Sequence, residues 1–366
     1  MSDSYFIAKA VSLAKKGKYF SKPGVNVGAL IVKDNKIIGE GFYERFGGRH
    51  AEINAINDVK RKYGKNYISF LSDSEIFITL EPCSKKGKTG ACVDALKKYD
   101  FKRVIVGSQD PTQNGLTSLS KHGFKMTNLN DADCIALNKE FFYKDKFNKP
   151  FVRAKVAMSA DQKSVFKNHK RKWITGIPAR NDVQKIRAQS DIILTGAGTI
   201  NIDRPSLNVR LENIISNKAF TQPERFVFSS SLNLNWEAPF FTLPGKKVVV
   251  TSKRKFPTFP KKLKELSFMN CNKKGDAIDP KKFINKIAKK NINNILIESG
   301  PKLFGTFRDE NLIDEYIFYI SRERLKEKAL HFYEGKKNLN FFDSKQFVIV
   351  EECDVGKDKK IILRKK

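Results

Sequence analysis

The apolar residues of this chain are gathered into short runs. VGALIVK (27–33), KIIGEGFY (36–43), EIFITL (75–80) and KRVIVGS (102–108) come first. FVRAKVAMS (151–159), DIILTG (191–196), RFVFSS (225–230), KKVVVTS (246–252), NILIES (294–299) and IDEYIFYIS (313–321) follow. Segments with helical spacing separate them: Tyr5 to Lys16, the stretch opening at HAE (50–52), ACVDALKKY (91–99), IPARNDVQKIRAQ (177–189) and one starting near Lys302. The DN pair at 34–35 reads as a hairpin turn between the first two runs. Strands alternating with helices restrict the chain to layered α/β sheets, with reactive residues at strand ends.

A length of 366 residues is long for one domain and comfortable for two. YKDKFNKP (143–150) is polar, ends in proline and interrupts the pattern, so the boundary is placed there, giving domains 1–146 and 147–366. No run of 18 apolar residues exists and the first residues lack an apolar export core, so a cytoplasmic protein with no membrane partner is expected. The formal charge of +31 raises the question of nucleic acid. Its lysines are scattered over nearly every segment rather than collected in a tail, so nucleic acid is not the expected partner. An anionic small molecule needs only a few of them. Five widely spaced cysteines argue against a disulfide framework; Cys134, Cys271 and Cys353 read as small hydrophobes.

Cys83 and Cys92 differ because of their surroundings, LEPCSKKGKTGAC (80–92), with HAE upstream. A hydrolytic zinc takes three protein ligands and keeps one position for water. His50, Cys83 and Cys92 supply three. Glu52 lies too close to His50 to chelate beside it, yet is spaced to reach that water and move its proton. H-x-E followed by P-C and a further cysteine is the pattern of zinc base deaminases.

Where most of that class has C-x-x-C, eight residues separate the cysteines here. The longer loop resembles the deaminase half of the bifunctional riboflavin-biosynthesis family, matching it at Cys83, Ser84, Gly87, Lys88, Thr89 and Cys92. Lys88 is the expected substrate contact in this loop, since lysine binds phosphate as a point charge. The departures are Lys85 for a histidine, Gly90-Ala91 for Pro-Pro, Tyr43 for a histidine, and Gly24 for an asparagine, with Asn26 two residues later.

KVAMSADQKSV (155–165), the long block 172–210 and NILIESGPKLFGTF (294–307) resemble the same family's reductase domain, in the same order. The resemblance implies a cytidine-deaminase-like α/β domain followed by a dihydrofolate-reductase-like α/β domain, with zinc and NADPH as cofactors. It assigns cofactor contacts to Ala157, Trp173, Thr199, Asp203, Ser230, Gly300, Pro301, Lys302, Leu303, Phe304, Gly305 and Thr306. Substrate contacts fall on Arg171, Arg187, Leu207, Arg210 and Glu298. From the residues alone, the Ser299-Gly300-Pro301 turn before a helix offers backbone N–H groups to an anion. The arginine fork suits a phosphate.

The implied reactions are zinc-dependent deamination of a diaminopyrimidinone ribosyl phosphate, then NADPH reduction of the ribosyl group to a ribityl chain. The resemblance also suggests a homo-oligomer. Asp203 and Glu298 are the candidate acids for the second step. Three rivals stand beside this reading: a nucleotide or tRNA-base deaminase, an RNA-binding module, and a family member whose altered deaminase half leaves only the reductase.

Overall fold

A computed structural model describes residues 1–85, 90–166, 173–253, 263–273, 277–335, 341 and 343–366. The chain divides into two compact units, Met1–Asn148 with Asn217–Thr221, and Lys149–Ser216 with Gln222–Lys366.

In the first unit, β1 (Gly28–Lys33) and β2 (Lys36–Phe42) form an antiparallel hairpin. Its turn residues Asp34 and Asn35 both take positive φ, 50° and 60°, as the primed hairpin turns require. β3 (Glu75–Ile78) runs antiparallel to β1, and β4 (Arg103–Val106) and β5 (Met126–Asn128) add in parallel, giving the order β2-β1-β3-β4-β5. Period-two alternation sends Ala29, Ile31, Ile76 and Ile78 to one face, against Ala55, Ile56 and Val59 of the helix Ala51–Tyr63. Leu30, Val32, Phe77 and Ile105 pack on the other face against Phe6, Ile7 and Val11 of the helix Asp3–Ala14.

The helix Ala51–Tyr63 lies so close to β2 that a Cβ at Gly41 would stand 2.2 Å from the Ala51 carbonyl oxygen. This glycine thereby fixes where the helix begins, and with it His50 and Glu52. The helix expected over 91–99 is shorter, Cys92–Leu96. Lys98 and Tyr99 then bond three residues back, to Ala95 and Leu96, in a tightened final turn. YKDKFNKP is not an irregular linker: the helix Lys139–Phe147 runs through it and stops at Asn148, a left-handed cap with φ 49°.

The second unit is built on β6 (Phe151–Met158), β8 (Ile192–Gly196), β9 (Glu224–Phe228), β10 (Lys247–Thr251), β11 (Leu266–Asn270), β12 (Asn294–Ile297) and β13 (Glu315–Ile320), all parallel. An antiparallel hairpin of β15 (Phe347–Val355) and β16 (Asp358–Lys365) completes the order β11-β10-β9-β8-β12-β6-β13-β16-β15. A separate pair joins β7 (Lys163–Phe166) to β14 (Ala329–His331). Phe226, Phe228, Val248, Val250, Ile295 and Ile297 form one face of the core with Phe283 and Ile287 of the helix Pro280–Ala288. The chain moves outward from β6 through β8 to β11, then returns to insert β12 between β8 and β6. That reversal opens a crevice beyond the carboxyl ends of β8 and β12, where open α/β sheets bind ligands. Among the described residues, no helix is long and apolar enough to cross a membrane.

Candidate active sites

His50 occupies the cap position before the helix Ala51–Tyr63, in extended backbone. Glu52 sits in that helix's first turn and is only 3% exposed. Cys83 lies just past the end of β3, and Cys92 opens the helix Cys92–Leu96, fully buried. His50 Nδ1 stands 3.2 Å from Cys92 Sγ and 3.5 Å from Cys83 Sγ, and the Cys92 N–H donates to Cys83 Sγ at 3.2 Å. The three ligand atoms lie within 4.8 Å of one another. Tetrahedral zinc, with its usual bond lengths, separates a nitrogen and a sulfur ligand by about 3.6 Å, so the donor set fits that ion.

The electrostatics agree. Hydrogen bonding from Cys92, and then from His50, brings the Cys83 thiol down to about 4 against the effect of burial. Cys92 is raised because it donates to that sulfur and is buried. Two sulfurs sharing one proton beside an imidazole is an arrangement in which a divalent cation replaces the proton. Burial raises the Glu52 carboxyl, which favours a group that accepts and returns a proton.

Residues that sequence reasoning did not single out support this centre. The Glu81 carboxylate is buried and accepts the N–H groups of Asp110 at 3.0 Å and Leu116 at 2.9 Å, pinning that loop beside Cys83. Gln113 Oε1 accepts the Ser84 N–H at 3.0 Å. The glutamate of Glu-Pro-Cys was the available signal. A cavity of about 120 Å³ is lined by Gly24, Tyr43, His50, Glu52, Cys83 and Asp110, among others. Two of the four departures, Gly24 and Tyr43, thus face the reacting volume. Tyr43 accepts the Gly47 N–H through its hydroxyl at 2.7 Å and sets its ring edge-on to His50, 5.5 Å between centroids. Lys85 instead donates to the Thr112 carbonyl at 2.6 Å. Asn26 is tied to Ser21 and Asn138 and is not among the residues lining the cavity. Lys88 lies outside the described residues.

In the second unit, a cleft of about 760 Å³ lies in the crevice between β8 and β12. Thr199, Asp203, Ser230, Gly300, Pro301, Lys302, Leu303 and Thr306 line it. The Gly300 N–H donates to Thr199 Oγ1 at 3.1 Å, joining the turn after β12 to the helix Ala197–Asp203 after β8. Gly300 caps the helix Pro301–Asp309, whose first turn forms part of the cleft wall and suits an anion such as a pyrophosphate. Phe304 and Gly305 do not line it: Phe304 is a core ring, 1% exposed, and a Cβ at Gly305 would meet the Glu334 carbonyl at 1.9 Å.

A second cavity of about 530 Å³ is lined by Lys155, Ala157, Trp173, Arg187, Arg210, Glu298 and Tyr319, among others. Leu207 is buried in the core with Ile193 and Ile200 and is not part of that lining. Arg171 lies outside the described residues. Glu298 is 5% exposed, bound by Arg187 through both oxygens (2.5 and 3.0 Å) and by Lys155 at 3.0 Å. Burial alone would raise its pKa, but the charges of Arg187 and Lys155 overcome that and hold it near 2. Glu298 is therefore a fixed anion rather than an acid for the second step. Lys155, the overlooked partner, had a signal: a lysine inside the apolar run FVRAKVAMS.

A zinc-type donor set with a buried carboxylate on one unit, and a cofactor-sized crevice at the switch point of the other, define a two-domain deaminase–reductase. Residues 1–108 match the cytidine and deoxycytidylate deaminase zinc-binding region, and residues 150–321 match the RibD C-terminal domain. The riboflavin biosynthesis protein RibD of Buchnera aphidicola subsp. Baizongia pistaciae is 36% identical over 381 residues, covering 100% of this chain and 99% of the relative. That of Escherichia coli K12 is 32% identical over 372 residues, 98% of each. Among solved structures, Acinetobacter baumannii RibD matches with a TM-score of 0.87 at 29% identity over 100% of this chain and 99% of that one. The diaminohydroxyphosphoribosylaminopyrimidine deaminase/5-amino-6-(5-phosphoribosylamino)uracil reductase of Thermotoga maritima matches at 0.85 and 27% identity, over 100% and 99%. The chain belongs to the RibD family of riboflavin biosynthesis proteins, bifunctional deaminases and reductases acting on a small molecule.

Proposed function

We propose that residues 1–146 deaminate a diaminopyrimidinone ribosyl phosphate and that residues 147–366 then reduce its ribosyl group to a ribityl chain. The observation that carries the first step is the convergence of His50, Cys83 and Cys92 within 4.8 Å, with Glu52 buried in the adjoining cavity. Zinc in that donor set supplies a Lewis acid that lowers the pKa of a water towards neutrality. Glu52 takes the proton from the water and gives it to the leaving ammonia, work typical of about 10²–10⁴-fold in rate. Gly24, Tyr43 and Asp110 bound the pyrimidine ring.

Thr199, Ser230, Gly300 to Leu303 and Thr306, with Ala157 of the second cavity, would hold NADPH, which would supply the hydride for the ribosyl C1′. Lys155, ion-paired with Glu298 at 3.0 Å and lining the cavity, is the acid we assign to that step. Arg187 is ion-paired with Glu298, whereas Arg210 has no ion pair among the described residues and takes the substrate phosphate. Five cysteines with no disulfide among them suit a reducing cytoplasm, and we assign the enzyme there; a homo-oligomer is assigned on the family resemblance alone.

The test is a coupled assay. The diaminopyrimidinone ribosyl phosphate should release ammonia without NADPH, and NADPH should be oxidised only after deamination. Ammonia from cytidine or tRNA but not from this compound would contradict the reading. NADPH oxidation with the deaminated compound alone would reduce it to the second half.

A further inference from the structure

The segment Ser206–Arg210 carries Arg210 yet is held almost entirely by side chains from elsewhere in its unit. Gln222 grips the Val209 peptide at both ends, accepting its N–H at 2.8 Å and donating to its carbonyl at 2.9 Å. Gln184 Oε1 accepts the Arg210 N–H at 2.9 Å. Arg187 donates to the Asn208 carbonyl at 3.3 Å. Arg225, 1% exposed, donates to the Ser206 carbonyl at 3.0 Å and also to the Leu243 and Pro244 carbonyls. Leu207 takes a left-handed backbone, φ 53°, and buries its side chain in the core. The common result of these contacts is to hold the Arg210 guanidinium in the cavity that Arg187 also lines, although the two repel. Arg210 itself leans on Asn208 Oδ1 at 3.0 Å and on Ser206 Oγ, both in the same segment, so its aim depends on that segment's backbone.

We propose that Gln222, which is outside the cavity lining, is a positioning residue. By fixing the Val209 backbone it presents Arg210, which has no ion pair among the described residues, to the substrate phosphate. The proposal rests on the phosphate role given to Arg210 above. Gln184 and Arg225 serve the same end, but Gln184 lines the cavity and Arg225 is buried, so Gln222, half exposed, gives the clean test.

The experiment measures reductase kinetics with the deaminated phosphorylated substrate and with its dephosphorylated riboside, for wild type, Gln222→Met, Arg210→Gln and the double variant. Losing the two Gln222 hydrogen bonds should raise KM for the phosphorylated substrate about tenfold, with kcat and the NADPH KM changed by less than about twofold. KM for the riboside should stay unchanged, and Gln222→Met should add nothing once Arg210 is Gln. Gln222→Glu, which keeps an acceptor for the Val209 N–H, should recover part of the loss. An equal loss on both substrates, or full additivity with Arg210→Gln, would overturn the proposal, leaving Gln222 a merely structural residue. If Arg210→Gln is impaired while Gln222→Met matches wild type, only the positioning role fails. If Arg210→Gln leaves the phosphorylated KM unchanged, the phosphate reading falls first and this proposal with it.

Discussion

The two candidate sites are built on opposite plans. The metal centre uses three ligands and one carboxylate from two helix starts and one strand end, all within His50 to Cys92. The second site collects single side chains from separate elements: Lys155 from β6, Arg187 from the helix Ile177–Gln189, Arg210 from a loop and Glu298 from the end of β12. The first depends on coordination, which tolerates few substitutions. The second depends on balanced charge, where each residue has a graded effect. Substitutions should therefore act sharply in one unit and by degrees in the other.

Glu52→Gln offers the largest expected effect. Ammonia release should fall by about 10²–10⁴-fold or more, while NADPH oxidation with the deaminated substrate continues. Retained ammonia release would remove Glu52 from its role, and parallel loss of both activities would break the independence of the two sites. Lys155→Met should reduce the reductase kcat by about 10²-fold, the lower end of general acid catalysis, and leave ammonia release at wild-type rate.

Glu298→Gln strips a buried anion from between two cations. Breaking a buried pair costs about 3–5 kcal/mol, and urea unfolding of the variant should show a loss of that order. The sign with pH follows from the depressed pKa. The Glu298 contribution is complete above the ordinary carboxylate value of about 4.3. It is lost only as pH falls through about 2. Wild type and variant should therefore differ by a constant amount across the neutral range, and the gap should close only in strong acid. Tyr43→Phe is the mildest change: the Gly47 N–H loses its acceptor, so the deaminase KM should rise by only a few fold.

Legibility followed the same division. The metal site could be read because H-x-E and E-P-C are local spacings at element ends, and local spacing survives without knowing the fold. Gly24 and Tyr43 could be flagged as departures, but only the folded cavity shows that they face it while Asn26 and Lys85 do not. The second site needed the sheet order: Lys155 and Glu298 become neighbours only because β12 inserts beside β6. Phe304 and Gly305 were carried over with the loop around them, yet helical geometry turns them towards the core. The hairpin of β15 and β16 was missed because its apolar FVIV and IIL runs are short and flanked by charge, and most of β15 is exposed.

The central claim is most directly tested by metal analysis of the purified chain alongside Cys83→Ser and Cys92→Ser. The account predicts about one tightly held zinc per chain. Either substitution should lose the metal and the ammonia release together while NADPH oxidation of the deaminated substrate persists. Wild-type protein that releases ammonia with no stoichiometric metal, or serine variants that keep both zinc and activity, would contradict it.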